Sequence, residues 1–397
     1  MYGEVIKLDL KREALKIHME NKGKIEIVSK VKVENKKDLS LVYTPGVAEP
    51  CNEIKNNPDL IYKYTNKGNM IAVVTDGSAV LGLGNIGSRA GMRVMEGKSI
   101  LFKELGNVDA FPLCLESQDI EDIIFTVKQI APSFGGINLE DIAAPKCFEI
   151  EKRLKAELDI PVFHDDQHGT AIVVLAALTN ALKVVDKEFE EVRIVINGSG
   201  AAGISIAKLL LSAGAKNIII CDSKGILNPE DNIVDLSKRE IAVETNPERI
   251  SGDLKRAILG SDVFIGVSAP NLLKTEDIKT MNRESIVFAM ANPLPEILPQ
   301  DAKLGGARIV GTGRGDFPNQ VNNVLAFPGI FRGALDVRAS DINEDMKIAA
   351  AYTIARMVPD HILDEEKILP SVLDKKVGIE VARAVAKAAV KSGVSRI

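Results

Sequence analysis

Short runs of apolar residues alternate along this chain with longer stretches in which apolar side chains recur at helical spacing. In the first part of the chain, the runs that predict buried strands lie at 70–75, 110–115 and 160–163. The stretches that predict helices lie at 11–19, 118–130 and 147–158. Because strands and helices alternate, we expect an α/β fold in this part of the chain.

A second series of the same kind follows a long helical pattern at 169–185. Its strand patterns are short and rich in valine, isoleucine and phenylalanine, at 193–197, 217–222, 262–267, 285–290 and 308–311. Continuous apolar runs of this length are typical of a parallel sheet whose two faces are both covered. Beyond Pro328 the spacing is helical again, at 343–357 and 378–392. We therefore expect C-terminal helices that pack back on the rest of the chain.

The composition is that of a globular protein with more than one domain. A length of 397 residues exceeds what one hydrophobic core usually supports. The net charge of -5 comes without a long block of like charge, which argues against a nucleic-acid partner. The longest apolar stretch, 171–178, is too short to span a bilayer.

The segment 1–12 mixes charged and apolar residues, unlike a signal peptide. The four cysteines form no C-x-x-C pair, so we expect reduced thiols in a cytoplasmic protein without membrane association.

Two segments match the pattern G-x-G-x-x-G, at 82–87 and at 198–203. The second follows a strand pattern directly, precedes a helical pattern at 201–212, and is followed by a strand pattern that ends at Asp222. This order is typical of a Rossmann-type unit, in which glycines let the backbone approach a pyrophosphate and the helix N-terminus binds it. The residues predicted to bind a dinucleotide here are Gly198, Gly200, Ala201, Ala202, Gly203 and Asp222.

The sequence leaves the choice of dinucleotide open. Asp222 would accept hydrogen bonds from the adenine ribose, which favours NAD because a carboxylate repels a 2′-phosphate. Lys224, Lys238 and Arg239 follow Asp222 and would offset that repulsion, so NADP is an alternative. The segment 82–87 lacks a following strand that ends in an acid. We interpret it as a tight loop that either lines a site or is purely structural.

These patterns divide the chain into three parts. We expect an N-terminal α/β catalytic domain at 1–165, a Rossmann-type dinucleotide-binding domain at 166–328, and a helical segment at 329–397. The first boundary lies where the second series begins, and the second boundary lies where helical spacing resumes.

Two carboxylate pairs come directly after strand patterns. Glu140 and Asp141 follow one apolar run, and Asp165 and Asp166 follow the next. Ligands of α/β proteins bind at the carboxyl ends of the strands, and four carboxylates gathered there would repel each other unless a cation neutralised them. Mg²⁺ and Mn²⁺ prefer such oxygen ligands. The alternative is that each pair caps the helix that follows it.

Tyr43 and Lys98 are candidates for proton transfer. Tyr43 lies in the turn-forming segment 41–47, and Lys98 follows the first glycine-rich loop. A lysine whose pKa is lowered by burial or by a neighbouring cation can act as a base near neutral pH, and a tyrosine can donate a proton. The alternative for both is a surface or packing role.

Several long motifs occur in a fixed order along the chain. They are YTPGVA at 43–48, VTDG at 74–77, LGLGNIG at 81–87, VMEGK at 94–98, HDDQHGT at 164–170, ANP at 291–293 and NQVNNVLAFPG at 319–329. Together they resemble the malic enzymes in their short prokaryotic form. The resemblance implies oxidative decarboxylation of L-malate to pyruvate and CO₂, with reduction of NAD or NADP and with Mg²⁺ or Mn²⁺ as the metal. It also implies a homodimer or a larger homo-oligomer.

The resemblance assigns roles to residues of this chain. It implies that Tyr43 is the general acid, that Lys98 is the general base, and that Asp165 orients Lys98 or a metal-bound water. The metal ligands that it implies are Glu140, Asp141 and Asp166. The side chains that it places near malate or the nicotinamide are Lys98, Asn292, Asn322 and Asn323, with Asn292 also on the cofactor side.

Two rival functions fit part of the sequence. One is a metal-independent dehydrogenase that acts on an amino acid or another small acid, which would leave both carboxylate pairs without a role. The other is a non-catalytic protein that only binds a dinucleotide, because a fold does not by itself determine a function. Metal dependence and the effect of replacing Lys98 distinguish these alternatives.

Overall fold

The computed structural model describes residues 2–80 and 82–397, with side chains from residue 10 onward. The strands of the described residues are β1 (Met70–Thr75), β2 (Asp109–Cys114), β3 (Gly136–Leu139), β4 (Val162–His164), β5 (Arg193–Asn197), β6 (Asn217–Asp222), β7 (Gly225–Ile226), β8 (Val263–Gly266), β9 (Ser285–Ala289) and β10 (Ala307–Thr312). The helices are α1 (Tyr2–Asn21), α2 (Lys36–Val42), α3 (Ala48–Asn56), α4 (Ile61–Tyr64), α5 (Gly87–Gly106), α6 (Ile120–Ile130), α7 (Lys146–Glu157), α8 (Asp165–Val185), α9 (Ala201–Ser212), α10 (Leu236–Glu244), α11 (Leu254–Ile258), α12 (Thr275–Ile278), α13 (Pro299–Leu304), α14 (Phe327–Asp336), α15 (Glu344–Arg356) and α16 (Lys375–Lys391). The predicted alternation of strands and helices is confirmed.

The strands form two sheets. The first has the order β2-β1-β3-β4, and its strands are all parallel. The second has the order β10-β9-β8-β5-β6-β7 and is parallel except for β7, which pairs antiparallel with β6. In each sheet the strand order reverses once, at β1/β3 and at β5/β8. Ligands of open α/β sheets bind at the carboxyl ends of the strands beside such reversals.

Both sheets are covered on both faces, which the continuous apolar runs predicted for the second sheet. Along β1, Ile71 and Val73 join a large apolar cluster, whereas Ala72 and Val74 face a second cluster on the other side. Strand β5 divides in the same way, because Val195 belongs to a third cluster. The large cluster contains residues of both sheets, of α8 and of the C-terminal helices. It therefore joins the two halves of the chain.

The C-terminal helices pack back on the first sheet, as expected. The ring of Phe102 in α5 lies 4.6 Å from that of Phe327 and 5.4 Å from that of Phe331, both in α14. Phe331 also makes an edge contact with Phe163 of β4. Apolar contacts thus hold α14 against the part of the structure that carries the carboxylate pairs.

Helix α8 begins earlier than the apolar spacing indicates. The spacing predicts a start at residue 169, but α8 starts at Asp165. Its first turn is polar, so it lacks the apolar signal, and Asp165 and Asp166 lie where carboxylates interact favourably with a helix N-terminus. By length and composition α8 could cross a membrane, but 72% of its most apolar window is buried inside the protein. Its place in the large apolar cluster is that of a core helix.

Candidate active site

The carboxyl ends of β3 and β4 bring the two carboxylate pairs together. The register of these parallel strands places Leu139 beside His164, so the residues that follow each strand are neighbours. Glu140 and Asp141 leave β3, and Asp141 adopts a positive φ of 54°. The backbone N–H of Asp141 donates a hydrogen bond of 2.7 Å to Asp166. This hydrogen bond connects the sharp turn after β3 to the first turn of α8, the helix that follows β4.

Three carboxylates of these pairs converge. One oxygen each from Glu140, Asp141 and Asp166 lies within 4.8 Å of the others. Glu140 and Asp141 are each 3% exposed, and Asp166 is half-buried. Hard oxygen donors at this spacing fit a divalent cation such as Mg²⁺ or Mn²⁺. The fourth carboxylate, Asp165, is completely buried and points elsewhere, towards Lys98.

Lys98 is buried between carboxylates. It lies on α5, and its Nζ is 2.5 Å from Asp165 and 2.7 Å from Glu140. The same ammonium lies 4.2 Å from the centre of the Phe327 ring, within the range of a cation–π contact. Lys98 therefore forms ion pairs with Glu140, a candidate metal ligand, and with Asp165, the carboxylate that is not one.

Burial and charge shift the protonation of this cluster. Burial raises the pKa of Asp165 to about 7, and it also raises the pKa of Glu140 and of Asp166. Burial alone would lower the pKa of Lys98, but Asp165 and Glu140 raise that pKa above its ordinary value. This is the opposite of the lowered pKa expected of a base. The carboxylates outnumber the single ammonium, so the site favours an additional cation.

Asn323 belongs to the cluster, whereas Asn322 does not. The Asn323 amide donates a hydrogen bond of 2.7 Å to the Asp165 oxygen that also accepts from Lys98. The Asn322 side chain instead accepts from the backbone N–H of Val324 at 3.0 Å and caps a short 3₁₀ helix. Gly169 leaves room for this arrangement, because a Cβ there would lie 1.8 Å from the Asp165 carboxylate. Asn323 and Lys98 thus donate to the same oxygen of Asp165, whereas the Asn322 side chain binds the nearby backbone of Val324.

The second glycine motif forms the predicted turn between β5 and α9. Gly198 has a φ of 125°, and α9 begins at Ala201 and Ala202, immediately after Gly200. A Cβ at Gly203 would lie 1.7 Å from the carbonyl oxygen of Gly198, so only glycine allows the helix to approach the loop this closely. The helix N-terminus is left facing the crevice where a pyrophosphate binds in this fold.

Asp222 lies at the end of β6, the expected place for a ribose-binding carboxylate. Its carboxylate accepts a hydrogen bond of 2.8 Å from the Lys238 ammonium. It accepts a second one, also of 2.8 Å, from the backbone N–H of Lys224. Burial alone would raise the pKa of Asp222, but these hydrogen bonds lower it. Lys238 is thus the cation that offsets the carboxylate, as the sequence left open.

The first glycine-rich loop meets the second sheet. A Cβ at Gly82 would lie 3.2 Å from the carbonyl oxygen of Asn292, so this loop lies against the turn after β9. Asn292 is half-buried there, and its side chain approaches the backbone of Met290 and of Gly313. The loop therefore lines the crevice between the two sheets and is not a second dinucleotide-binding turn.

Tyr43 stands apart from the cluster within this chain. It follows α2, 67% of its surface is exposed, and among the described residues its hydroxyl has no hydrogen-bond partner. The structure therefore does not bring the sequence-predicted acid and base into contact in one copy of the chain.

Sequence reasoning missed three residues around the cluster. Asn138 of β3 is completely buried and donates 2.8 Å to Glu140, and Phe327 covers Lys98. Glu151 of α7 is buried and accepts from the backbone N–H of His164 at 3.2 Å and from the His168 ring at 2.9 Å. A polar residue inside an apolar strand pattern was a usable signal for Asn138. No local pattern marks Phe327 or Glu151.

One sheet carries a glycine turn at its reversal of strand order, and the other carries a buried lysine and three converging carboxylates at its strand ends. Together they define a dinucleotide-binding α/β protein with a candidate divalent-cation site. Comparison with known families agrees and is more specific. Residues 22–155 match the malic enzyme N-terminal domain, and residues 167–390 match the malic enzyme NAD binding domain. The chain belongs to the malic enzyme family.

Individual relatives match nearly the whole chain. A bifunctional malic/malolactic enzyme of Bacillus subtilis is 57% identical over 98% of this chain and 95% of its own length. An NAD-dependent malic enzyme of Geobacillus stearothermophilus is 58% identical over 94% of this chain and 78% of its own length. The crystal structure of a malic enzyme from Pyrococcus horikoshii is 50% identical and superposes with a TM-score of 0.93, covering 98% of this chain and 92% of that one.

Proposed function

We propose that this protein oxidises L-malate with NAD or NADP and decarboxylates it to pyruvate and CO₂, with the help of Mg²⁺ or Mn²⁺. The observation that carries the proposal is the buried Lys98, held by Asp165 and Glu140 next to the convergence of Glu140, Asp141 and Asp166. This arrangement provides a proton-transfer group and a cation site at the carboxyl ends of the strands of the first sheet.

Glu140, Asp141 and Asp166 are the residues that would hold the metal. A divalent ion bound there supplies positive charge to the C1 carboxylate and the C2 oxygen of malate. Lys98, as a neutral amine, accepts the proton of the C2 hydroxyl while hydride leaves C2 for the nicotinamide. Asp165 and Asn323 hold the Lys98 ammonium in place through one shared carboxylate oxygen. Among the described residues, no other lysine lies in this cluster.

The dinucleotide binds across the second sheet. We assign the pyrophosphate to the turn and helix N-terminus formed by Gly198, Gly200, Ala201, Ala202 and Gly203. We assign the adenine ribose to Asp222, and the nicotinamide side and malate to Asn292, Asn322 and Asn323. Asp222 favours NAD, whereas its partner Lys238 leaves room for NADP.

We further propose that the protein is a homodimer or a larger homo-oligomer. The segment 23–47 exposes many apolar side chains, namely Ile25, Ile27, Val28, Val31, Val33, Leu39, Leu41, Val42 and Val47. Exposed apolar side chains concentrated in one segment are characteristic of an interface between proteins. A second copy of the chain is the occupant that closed symmetry favours.

Tyr43 lies within this exposed segment. We propose that it donates the proton that C3 of the enolate needs to become the methyl group of pyruvate. Its exposure, and the absence of a hydrogen-bond partner for its hydroxyl among the described residues, support the idea that it serves the site of the second copy. We also propose a cytoplasmic location, and a division into domains at 1–165, 166–328 and 329–397.

The proposed function is tested by following the absorbance of reduced cofactor when L-malate and Mn²⁺ are added, with NAD and NADP in separate assays. Turnover that stops with EDTA, and pyruvate and CO₂ in equal amounts, are the expected results. Turnover that resists EDTA would favour a metal-independent dehydrogenase. Cofactor binding without turnover would favour the non-catalytic alternative. Lactate should be assayed in parallel, because the Bacillus subtilis relative is named for both malic and malolactic activity.

A further inference from the structure

A second buried carboxylate, Glu296, joins the ends of two strands in the second sheet. Glu296 is 0% exposed. One of its oxygens accepts the backbone N–H of Ser268, which follows β8, at 3.0 Å. The other accepts the backbone N–H of Ala291, which follows β9, also at 3.0 Å. A single side chain therefore determines the separation of two loops.

These loops lie at the reversal of strand order, where the dinucleotide crevice opens. Asn197, the last residue of β5, donates from its side chain to the Ser268 hydroxyl at 2.7 Å. A Cβ at Gly198 would lie 2.6 Å from the carbonyl oxygen of Val267. A chain of hydrogen bonds thus connects the pyrophosphate turn to the ends of β8 and β9. It runs from Asn197 to Ser268, then to Glu296, and then to Ala291.

The surrounding structure is built to accommodate this carboxylate. Gly266 ends β8, and a Cβ there would lie 2.3 Å from the carboxyl carbon of Glu296, so only glycine admits the side chain. Burial raises the pKa of Glu296, and backbone N–H groups rather than a cation offset that effect. A buried carboxylate is costly unless it is hydrogen-bonded, and both oxygens of Glu296 are satisfied by backbone N–H groups of the loops after β8 and β9.

We propose that Glu296 is a positioning residue for hydride transfer: it holds the loops after β8 and β9 so that the nicotinamide faces C2 of malate. Asn292 follows Ala291 directly, so the hydrogen bond to Ala291 also places Asn292 against the first glycine-rich loop. The hydride step rests on the proposed function, whereas the placement of the nicotinamide rests only on dinucleotide binding.

The test compares Glu296→Gln with a matched control, Asp262→Asn. Asp262 also bridges backbone and side chains of the second sheet, accepting from the Arg193 N–H at 2.9 Å and from Lys187 at 2.8 Å. It lies at the opposite, amino end of the strands. Glutamine keeps the size of Glu296 but turns an N–H donor towards one of the two backbone donors. Both variants lose stability, but only the first disturbs the crevice.

With Glu296→Gln we expect kcat to fall roughly 10- to 100-fold and the isotope effect on kcat with malate deuterated at C2 to increase. Bound NADH should emit at longer wavelength, because the nicotinamide is less enclosed. Asp262→Asn should leave the isotope effect and the NADH emission of its folded fraction unchanged. Glu296→Asp, which remains an acceptor at both oxygens, should recover part of kcat and serves as the second variant if the glutamine variant does not fold.

An unchanged isotope effect together with unchanged NADH emission in Glu296→Gln, or in Glu296→Asp if only that folds, would overturn the proposal. The proposal also fails if Asp262→Asn produces the same changes, since the effect would then be a general loosening of the sheet. If wild-type protein does not oxidise malate, the proposed function fails, and the NADH emission of the variants still decides the role of Glu296.

Discussion

Lys98 is buried, and the carboxylates around it keep it positively charged. Its ammonium is within 2.7 Å of both Asp165 and Glu140, and these two groups oppose the effect of burial on its pKa. For Lys98 to act as a base, the negative charge around it must be reduced. A divalent cation bound by Glu140 would do that, so the proposed metal site and the proposed base would depend on each other electrostatically.

Replacement of Lys98 by alanine should reduce kcat by roughly 10²- to 10⁴-fold, the range for loss of a general base. Cofactor affinity, measured by NADH fluorescence, should stay within about threefold, because the dinucleotide turn is on the other sheet. Lys103→Ala on the same helix is the control, since the Lys103 side chain is 54% exposed and pairs with Asp109, outside the cluster. If turnover survives in Lys98→Ala, the proposed mechanism is wrong.

The raised carboxyl pKa values predict how metal and pH act on stability. In the unfolded chain these groups ionise near about pH 4, but in the folded protein the pKa of Asp165 is about 7. Between these values the folded state binds more protons, so the stability of the metal-free protein should fall as pH rises. The metal requires deprotonated ligands, so MnCl₂ should increase the Tm more at about pH 7.5 than at about pH 5.5. Equal increases at the two pH values would contradict this.

At the residue scale, the sequence indicated the carboxylate pairs because each follows an apolar run directly. It did not indicate which residues touch. The Asp165–Asn323 hydrogen bond joins residues 158 positions apart, and such a contact depends on the packing of α14 and α8. Glu296 lies in a proline-rich turn with no periodic pattern, so its link to Ser268 was invisible until the strand order was known.

At the scale of elements, the strand ends determine which groups meet. The apolar runs located eight of the ten strands of the described residues, and the apolar residues before Glu140 indicated the end of a ninth, β3, because buried parallel strands are continuous in sequence. They missed β7, a two-residue strand, and placed the start of α8 too late because its first turn is polar. Strand order was not predictable, since it depends on which helices cross which face.

Asp222 at the end of β6 should determine the choice of cofactor together with Lys238. Asp222→Ala removes the carboxylate that repels a 2′-phosphate and frees the Lys238 ammonium for it. We expect the ratio of kcat/KM for NADP to that for NAD to rise by about tenfold or more, equivalent to about 1.4 kcal/mol. Lys216→Ala, an exposed pair partner just before β6, is the control. An unchanged ratio would show that another group sets the preference.

At the scale of the whole molecule, one apolar cluster binds both sheets and the C-terminal helices into a single body. The sequence predicted the two α/β series and the returning helices, because each carries its own period. It did not predict that Tyr43 would be exposed and, among the described residues, without a hydrogen bond to the cluster. The pattern of one chain does not show contacts with a second copy, so the proposed contribution of Tyr43 to the site of a partner could not be derived from the sequence.

Mixing two inactive variants tests whether Tyr43 acts across an interface. In Tyr43→Phe the acid is lost, and in Lys98→Ala the base is lost. If each site combines Lys98 of one copy with Tyr43 of another, equal mixing makes about a quarter of all sites intact. Activity should then return after the variants are unfolded and refolded together, but not when they are refolded apart. No recovery, with hybrid dimers demonstrated by mass, would place both residues in one copy.

The proposed chemistry depends above all on one divalent cation held by Glu140, Asp141 and Asp166 beside Lys98. Anomalous diffraction from crystals grown with Mn²⁺ locates such an ion without reference to activity. We expect one anomalous peak with an oxygen of each of the three carboxylates at roughly 2.2 Å. A Mn²⁺ concentration that supports malate oxidation but yields no peak there, or a peak bound by other residues, would show that the metal site is wrongly assigned.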